Sequence, residues 1–85
     1  MDKQKTVSNG ISAQRLLDDP IITSAFEHLE QMYINDWKSS KVDDVVKRDM
    51  AYTSMRVLQD FKSALQSIVD SGKIAGKQLE RDQRL

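Results

Sequence analysis

An all-α fold is what this sequence predicts, and three observations predict it. Apolar residues recur at steps of three and four along two long stretches, one through Ile22, Phe26, Leu29, Tyr33 and Trp37, the other from Val46 to Val69. A strong helix start, Asp19-Pro20, stands just before the first stretch. Nowhere do apolar and polar residues alternate with the period of two that a half-buried strand shows. The expected architecture is an antiparallel helical hairpin with short flanking helices, completed as a bundle by oligomerisation.

The first element in chain order is the weakest. Residues 1–11 are polar and contain the turn signal Asn9-Gly10, so they read as a flexible N-terminal lead ahead of a single helical domain over residues 12–85. Met1 to Gly10 has no apolar core of the kind a secretory signal carries. Ser12 then suits the cap of a short helix ending at Asp18, with Leu16 and Leu17 on its buried side.

The next start is sharper. Asp19 suits an N-cap because its carboxylate accepts from the unpaired backbone N–H groups of a first turn. Pro20 suits the position after it, where a missing N–H leaves nothing unsatisfied. The apolar steps of four, three, four and four from Ile22 to Trp37 make one helix face, expected over Pro20 to about Lys38. Glu27, His28, Glu30, Gln31 and Asp36 fall largely on the other side.

Ser39-Ser40-Lys41 reads as a short connection, with Ser40 or Asp43 as cap of the following helix and the Asp43 and Asp44 charges favourable in its first turn. Val46, Met50, Ala51, Met55, Leu58, Phe61, Leu65, Ile68 and Val69 then mark a helix from about Val42 to Ser71. At the usual rise it would be about 45 Å long against about 28 Å for the helix before it. Ser71-Gly72 reads as a C-cap or kink, because glycine enters the left-handed region at little cost. Ile74, Ala75 and Leu79 support a short terminal helix from about Lys73 to Asp82.

Composition narrows the function. A chain of 85 residues allows one domain of marginal stability, which disulfides, a metal or a partner chain usually supplement. There is no cysteine and one histidine, so disulfides, thiolate metal sites and a multi-histidine site within one chain are excluded, leaving self-association or very regular helix packing. The 13 basic and 13 acidic residues balance to zero, unlike a general polyanion binder. No apolar run is long enough to span a membrane, and a cysteine-free chain suits a reducing cytoplasm.

Catalytic chemistry finds little footing. His28 has Ser24 and Glu27 near it on one helix, but a triad needs groups converging from different elements, and Glu27, one residue away, cannot face His28. The carboxylate pairs Asp18-Asp19 and Asp43-Asp44 sit at expected helix starts, where negative charge is favourable on plain electrostatic grounds. Gly10, Gly72 and Gly76 fit no phosphate-binding loop. The expectation is a non-enzymatic protein with no cofactor, no metal and no small-molecule substrate.

Binding chemistry is better represented. Phe26, Tyr33 and Trp37 share a stripe on an acidic helix, which favours core or subunit interface over base stacking. Phe26, Tyr33, Trp37, Tyr52, Met55 and Phe61 are the interface candidates. Two helices cannot cover both apolar stripes together with Ile34, Val45, Tyr52 and Val57 on their flanks, so a homo-oligomer is expected. Lys73, Lys77, Arg81 and Arg84 recur at steps of four, four and three and form a basic ridge, the candidate phosphate contacts of a nucleic-acid reading. The same residues also suit a helix C-terminus and a solvated tail. Glu27, Glu30 and Asp36 form an acidic face suited to docking on another protein as a nucleic-acid mimic.

Leu16-Leu17-Asp18-Asp19-Pro20, Ala25-Phe26 with Leu29, Tyr33-Ile34 and Trp37-Lys38, then Arg48-Asp49 with Tyr52, Phe61 and Ser71-Gly72-Lys73-Ile74-Ala75 form a sparse pattern over residues 15 to 77. It resembles small helical proteins of tailed bacteriophages. The resemblance implies a viral protein in the bacterial host cytoplasm or the virion. Such proteins include terminase small subunits, which oligomerise and present DNA to a packaging motor, as well as virion accessory proteins, scaffolds and inhibitors of host defence. The chain departs from the terminase pattern in lacking a basic N-terminal DNA-recognition domain. The expected role is an assembly or DNA-packaging adaptor, with itself and another protein as partners, nucleic acid as a second candidate and no membrane.

Overall fold

A computed structural model describes residues 2–84. Those residues form three α-helices and no strand: α1 (Lys3–Asp18), α2 (Pro20–Ser39) and α3 (Val45–Gln83). The all-α expectation holds. The helices group into two compact units, one made of residues up to Asp19 with those from Ser63 onward, the other of Pro20–Lys62.

Two expected boundaries are corrected. The segment expected as a flexible lead is helical from Lys3, and Ser12 lies inside α1. Asp2 is the cap: its backbone is extended and its carboxylate accepts from the Gln4 N–H at 2.9 Å. The expected break at Ser71-Gly72 is also absent. α3 is one helix of 39 residues, about 58 Å long, and no glycine among the described residues has positive φ. The terminal helix expected from Lys73 is therefore the end of α3.

Both misreadings have the same physical cause. Gly10 and Gly72 are helical glycines that let α1 and the second half of α3 touch backbone to backbone. A Cβ added at Gly10 would lie 2.9 Å from the Gly72 Cα and 3.2 Å from the Ile68 carbonyl oxygen; one added at Gly72 would meet the Gly10 Cα and the Thr6 oxygen at the same distances. Glycine in a helix interior loses about 1 kcal/mol against alanine. The close approach offsets that loss by letting Ala13, Leu65, Val69 and Ala75 bury in this unit. Contacts here run in opposite chain order: Lys3 meets Asp82 at 3.5 Å, and Gly76 lies opposite Val7.

In the other unit α2 starts at Pro20, as the sequence reading has it, directly after Asp19, whose extended backbone suits a residue before proline. Residues 40–44 connect α2 to α3, and Ser40 does not cap α3: its hydroxyl donates back to the Trp37 carbonyl. The cap is Asp44, whose carboxylate accepts from the Lys47 N–H at 3.0 Å, while Asp43 sits in the preceding turn. Contacts between α2 and α3 again run in opposite order. The Phe26 and Phe61 rings are 5.7 Å apart, and the Arg48 guanidinium lies 5.2 Å over the Trp37 ring. Ala51 is the buried apolar residue of this unit, and α2 buries none of its residues.

Candidate functional site

The aromatic residues expected at an interface all fall in the Pro20–Lys62 unit. Phe26 and Tyr33 of α2 and Met55 of α3 are half-buried, whereas Trp37, Tyr52 and Phe61 are exposed. The reason lies in the register of α3. Ala51, Met55 and Leu58 repeat at steps of four and three and turn inward. Met50, Val57 and Phe61 repeat at seven and four on a neighbouring stripe and remain largely in solvent, at 66%, 61% and 56% exposure. Met50 and Phe61, which the sequence groups with Ala51, Met55 and Leu58 in one apolar series, therefore belong to the outer stripe.

Val57 and Phe61 of this outer stripe, with their α3 neighbours, and α2 form the walls of an apolar groove of about 440 Å³, which Met50 does not line. Phe26, Leu29 and Tyr33 line it from α2; Thr53, Ser54, Val57, Leu58 and Phe61 line it from α3. A second hollow in the same unit, lined in part by Tyr33, Asp36, Asp44, Lys47 and Met50, is more polar in character. Of the interface candidates the structure brings Phe26, Tyr33 and Phe61 into one groove. Trp37 lies instead against Arg48, and Tyr52 is not among the residues lining the groove. Leu29 and Val57, which also line the groove, are not among the interface candidates, although the sequence counts Val57 with the surplus apolar residues.

The chemistry of the groove is that of a surface for another apolar surface. Hydroxyls of Tyr33, Thr53 and Ser54 are its polar features, with no charged side chain among its lining residues. Ser54 itself donates to the Met50 carbonyl at 2.9 Å, a bond within the helix. The unit as a whole is of mixed charge: residues 20–62 contain six basic and seven acidic side chains. Lys62 reaches over the Phe26 ring at 5.8 Å, so its cation sits at the edge of the apolar area.

The other expected sites are placed as follows. Lys73, Lys77 and Arg81 are exposed on the last turns of α3, and Arg84 is exposed just past its end. Arg84 meets Glu80 at 3.4 Å, and Lys73 lines a hollow of about 250 Å³ beside Gly10 and Gly72. Glu27, Glu30 and Asp36 are exposed on α2, as is His28. No cluster of three or more histidine or acidic side chains among the described residues is placed to hold a metal ion, and no described helix is long and apolar enough to cross a membrane. Comparison with models of protein families, with curated proteins and with solved structures found no match to this chain.

Proposed function

We propose that this chain is a non-enzymatic helical interaction protein that works as a homo-oligomeric assembly adaptor. One observation carries the reading: no residue of α2, a helix of 20, is fully buried, its inner face at Phe26, Leu29 and Tyr33 being only half-buried, while the α3 stripe beside it holds Met50, Val57 and Phe61 out in solvent. Most helical stability in a protein comes from packing of an apolar face. Further copies would supply that packing and complete the α2–α3 hairpin as a bundle. The resemblance to small helical phage proteins points the adaptor role toward virion assembly or DNA packaging in a bacterial host.

Light scattering after size exclusion, at two salt concentrations, tests the reading. A dimer or larger species at micromolar concentration, insensitive to salt because the contact is apolar, is the expected result. A monomer throughout would overturn it and transfer the argument to the acidic α2 face of Glu27, Glu30 and Asp36 as a docking surface for a host protein.

A second reading rests on Lys73, Lys77 and Arg81, exposed at one end of α3. Repeated in an oligomer, such a ridge would gain avidity for a polyphosphate that one copy lacks. DNA binding that weakens steeply with salt, and weakens again on replacing Lys73 and Lys77 by glutamine, is its signature.

A further inference from the structure

We propose that Asn9 is a site of spontaneous covalent modification, deamidation through its neighbour Gly10, and that the packing of α1 on α3 holds this reaction shut. Each opening of the α1 unit then carries a chance of one-way conversion. The inference is independent of the self-association reading.

Two adjacent residues supply the chemistry. Asparagine is a thermally labile side chain, and the group that attacks it is the backbone nitrogen of the next residue. Glycine in that position has no Cβ to obstruct the attack. The Gly10 nitrogen adds to the Asn9 Cγ and closes a five-membered succinimide. The Cγ–Nδ2 bond breaks, and ammonia leaves with the Gly10 proton. Water then opens the ring. Breaking the bond to Cγ leaves aspartate in an ordinary main chain. Breaking the bond to the Asn9 main-chain carbonyl carbon leaves isoaspartate, whose main chain is longer by one methylene. Water is the only other reactant.

The fold decides when this can happen. Asn9 is exposed, whereas Gly10 is buried. Both lie inside α1, so the Gly10 N–H is directed along the helix toward the preceding turn and away from the Asn9 side chain. Ring closure requires that nitrogen to be released and the Asn9 backbone to leave the helical region. A lone helix of 16 residues would fray readily. Here Gly10 is clamped: a Cβ on it would lie 2.9 Å from the Gly72 Cα, and Ala13 and Val69 are buried in the same unit. The reactive geometry is therefore reached when α1 opens from α3, a local unfolding of one cooperative unit. A reaction slow against opening and closing follows the population of the open form.

Asn35, the other asparagine of the chain, gives an internal comparison. It too is exposed, on α2, and its amide oxygen accepts from Gln31 Nε2 at 3.0 Å. Its successor is Asp36, whose side chain crowds the attacking nitrogen. What sets Asn9 apart is the glycine after it, and the same glycine makes the helix crossing. Isoaspartate at position 9 would move Gly10 out of register with Gly72, so a modified α1 unit does not close as before.

Peptide mapping by mass spectrometry of the full chain, incubated at mildly alkaline pH in native buffer and in urea, tests the proposal. Expected is conversion at Asn9 that is fast in urea and slow in native buffer, with Asn35 unchanged in both. Gly72→Ala leaves the Asn9-Gly10 chemistry untouched and should accelerate the native-buffer reaction roughly 5- to 150-fold. Should that variant fail to fold, Asp2→Ala decides, since it removes only the exposed cap of α1 and should accelerate the reaction about 5-fold. Asp44→Ala, the matching cap loss in the other unit, should leave the rate within about twofold of wild type. Equal rates in native buffer and urea would show that α1 shields nothing. A native rate indifferent to Asp2→Ala and to a folded Gly72→Ala, or raised as much by Asp44→Ala, would take the gate away from the α1 unit. Either result overturns the proposal, as does an Asn9 that stays intact in urea.

Discussion

Gly10 and Gly72 hold α1 and α3 at backbone contact, and they do so reciprocally. Each glycine sits where a Cβ would fall 2.9 Å from the other's Cα and 3.2 Å from a carbonyl one turn before it, Ile68 in one direction and Thr6 in the other. Because the obstructing atoms are backbone, no side-chain rotation relieves the overlap. Gly76, one turn further along α3, is different in kind, since its nearest neighbour is a Val7 methyl at 3.9 Å.

Alanine at these three positions therefore separates close packing from helix propensity. Gly10→Ala and Gly72→Ala should each destabilise by about 1–3 kcal/mol, because the helices must move apart around the new methyl. Gly76→Ala should stabilise by about 0.5–1 kcal/mol, gaining propensity at no steric expense. Urea denaturation of the three variants measures this directly; a stabilised Gly10→Ala would show that the helices do not touch there.

The start of α3 gives a second contrast between neighbours. Asp44 accepts from the Lys47 N–H, and Asp43 occupies the turn before it. Asp44→Ala should lose about 1 kcal/mol, the usual worth of an N-cap, whereas Asp43→Ala should stay within about 0.5 kcal/mol of wild type. Equal losses in thermal denaturation would mean that charge near the helix start, and not the cap bond, supplies the stabilisation.

Arg48 over Trp37 ties the two ends of the α2–α3 connection together. Replacing Arg48 by glutamine should cost about 0.5–1 kcal/mol and expose the indole further. Trp37 is the single tryptophan, so its fluorescence reports the change without interference: the emission should shift to the red. An unchanged spectrum with unchanged stability would show that the cation contributes nothing to the ring's environment.

The ion pair of Lys3 with Asp82 spans the termini of α1 and α3 but is exposed on both sides, at 45% and 61%. Solvent screening leaves such a pair worth less than about 1 kcal/mol. Lys3→Ala should accordingly shift stability by no more than about 0.5 kcal/mol, and salt should erase even that. A larger loss would mean that the Lys3 stem, and not its charge, packs on α3.

How much was legible in the sequence differs from element to element. α2 could be read closely, because Asp19-Pro20 is a local start signal and the stripe from Ile22 to Trp37 is strong enough to name a helix face on its own. α1 could not. Its contact face centres on Gly10 and Ala13, small residues that carry little hydropathy, and Asn9-Gly10 has the local chemistry of a turn. The candidate groove was half legible. Phe26, Tyr33 and Phe61 announced themselves as aromatics, while Val57 and Met50 could be assigned to the outer stripe only once the inner one was known.

The sequence by itself determined the helical class, the start of α2 and the surplus of apolar residues, because hydrophobic period and capping chemistry act over a few neighbouring residues. Only the tertiary structure decided that Gly10 and Gly72 are helix-to-helix contacts and not breaks, and which of the two stripes on α3 is left in solvent. A glycine's local preference is the same at a chain turn and at a close crossing. What selects between them is a backbone more than sixty residues away in the chain, and no local pattern encodes that distance.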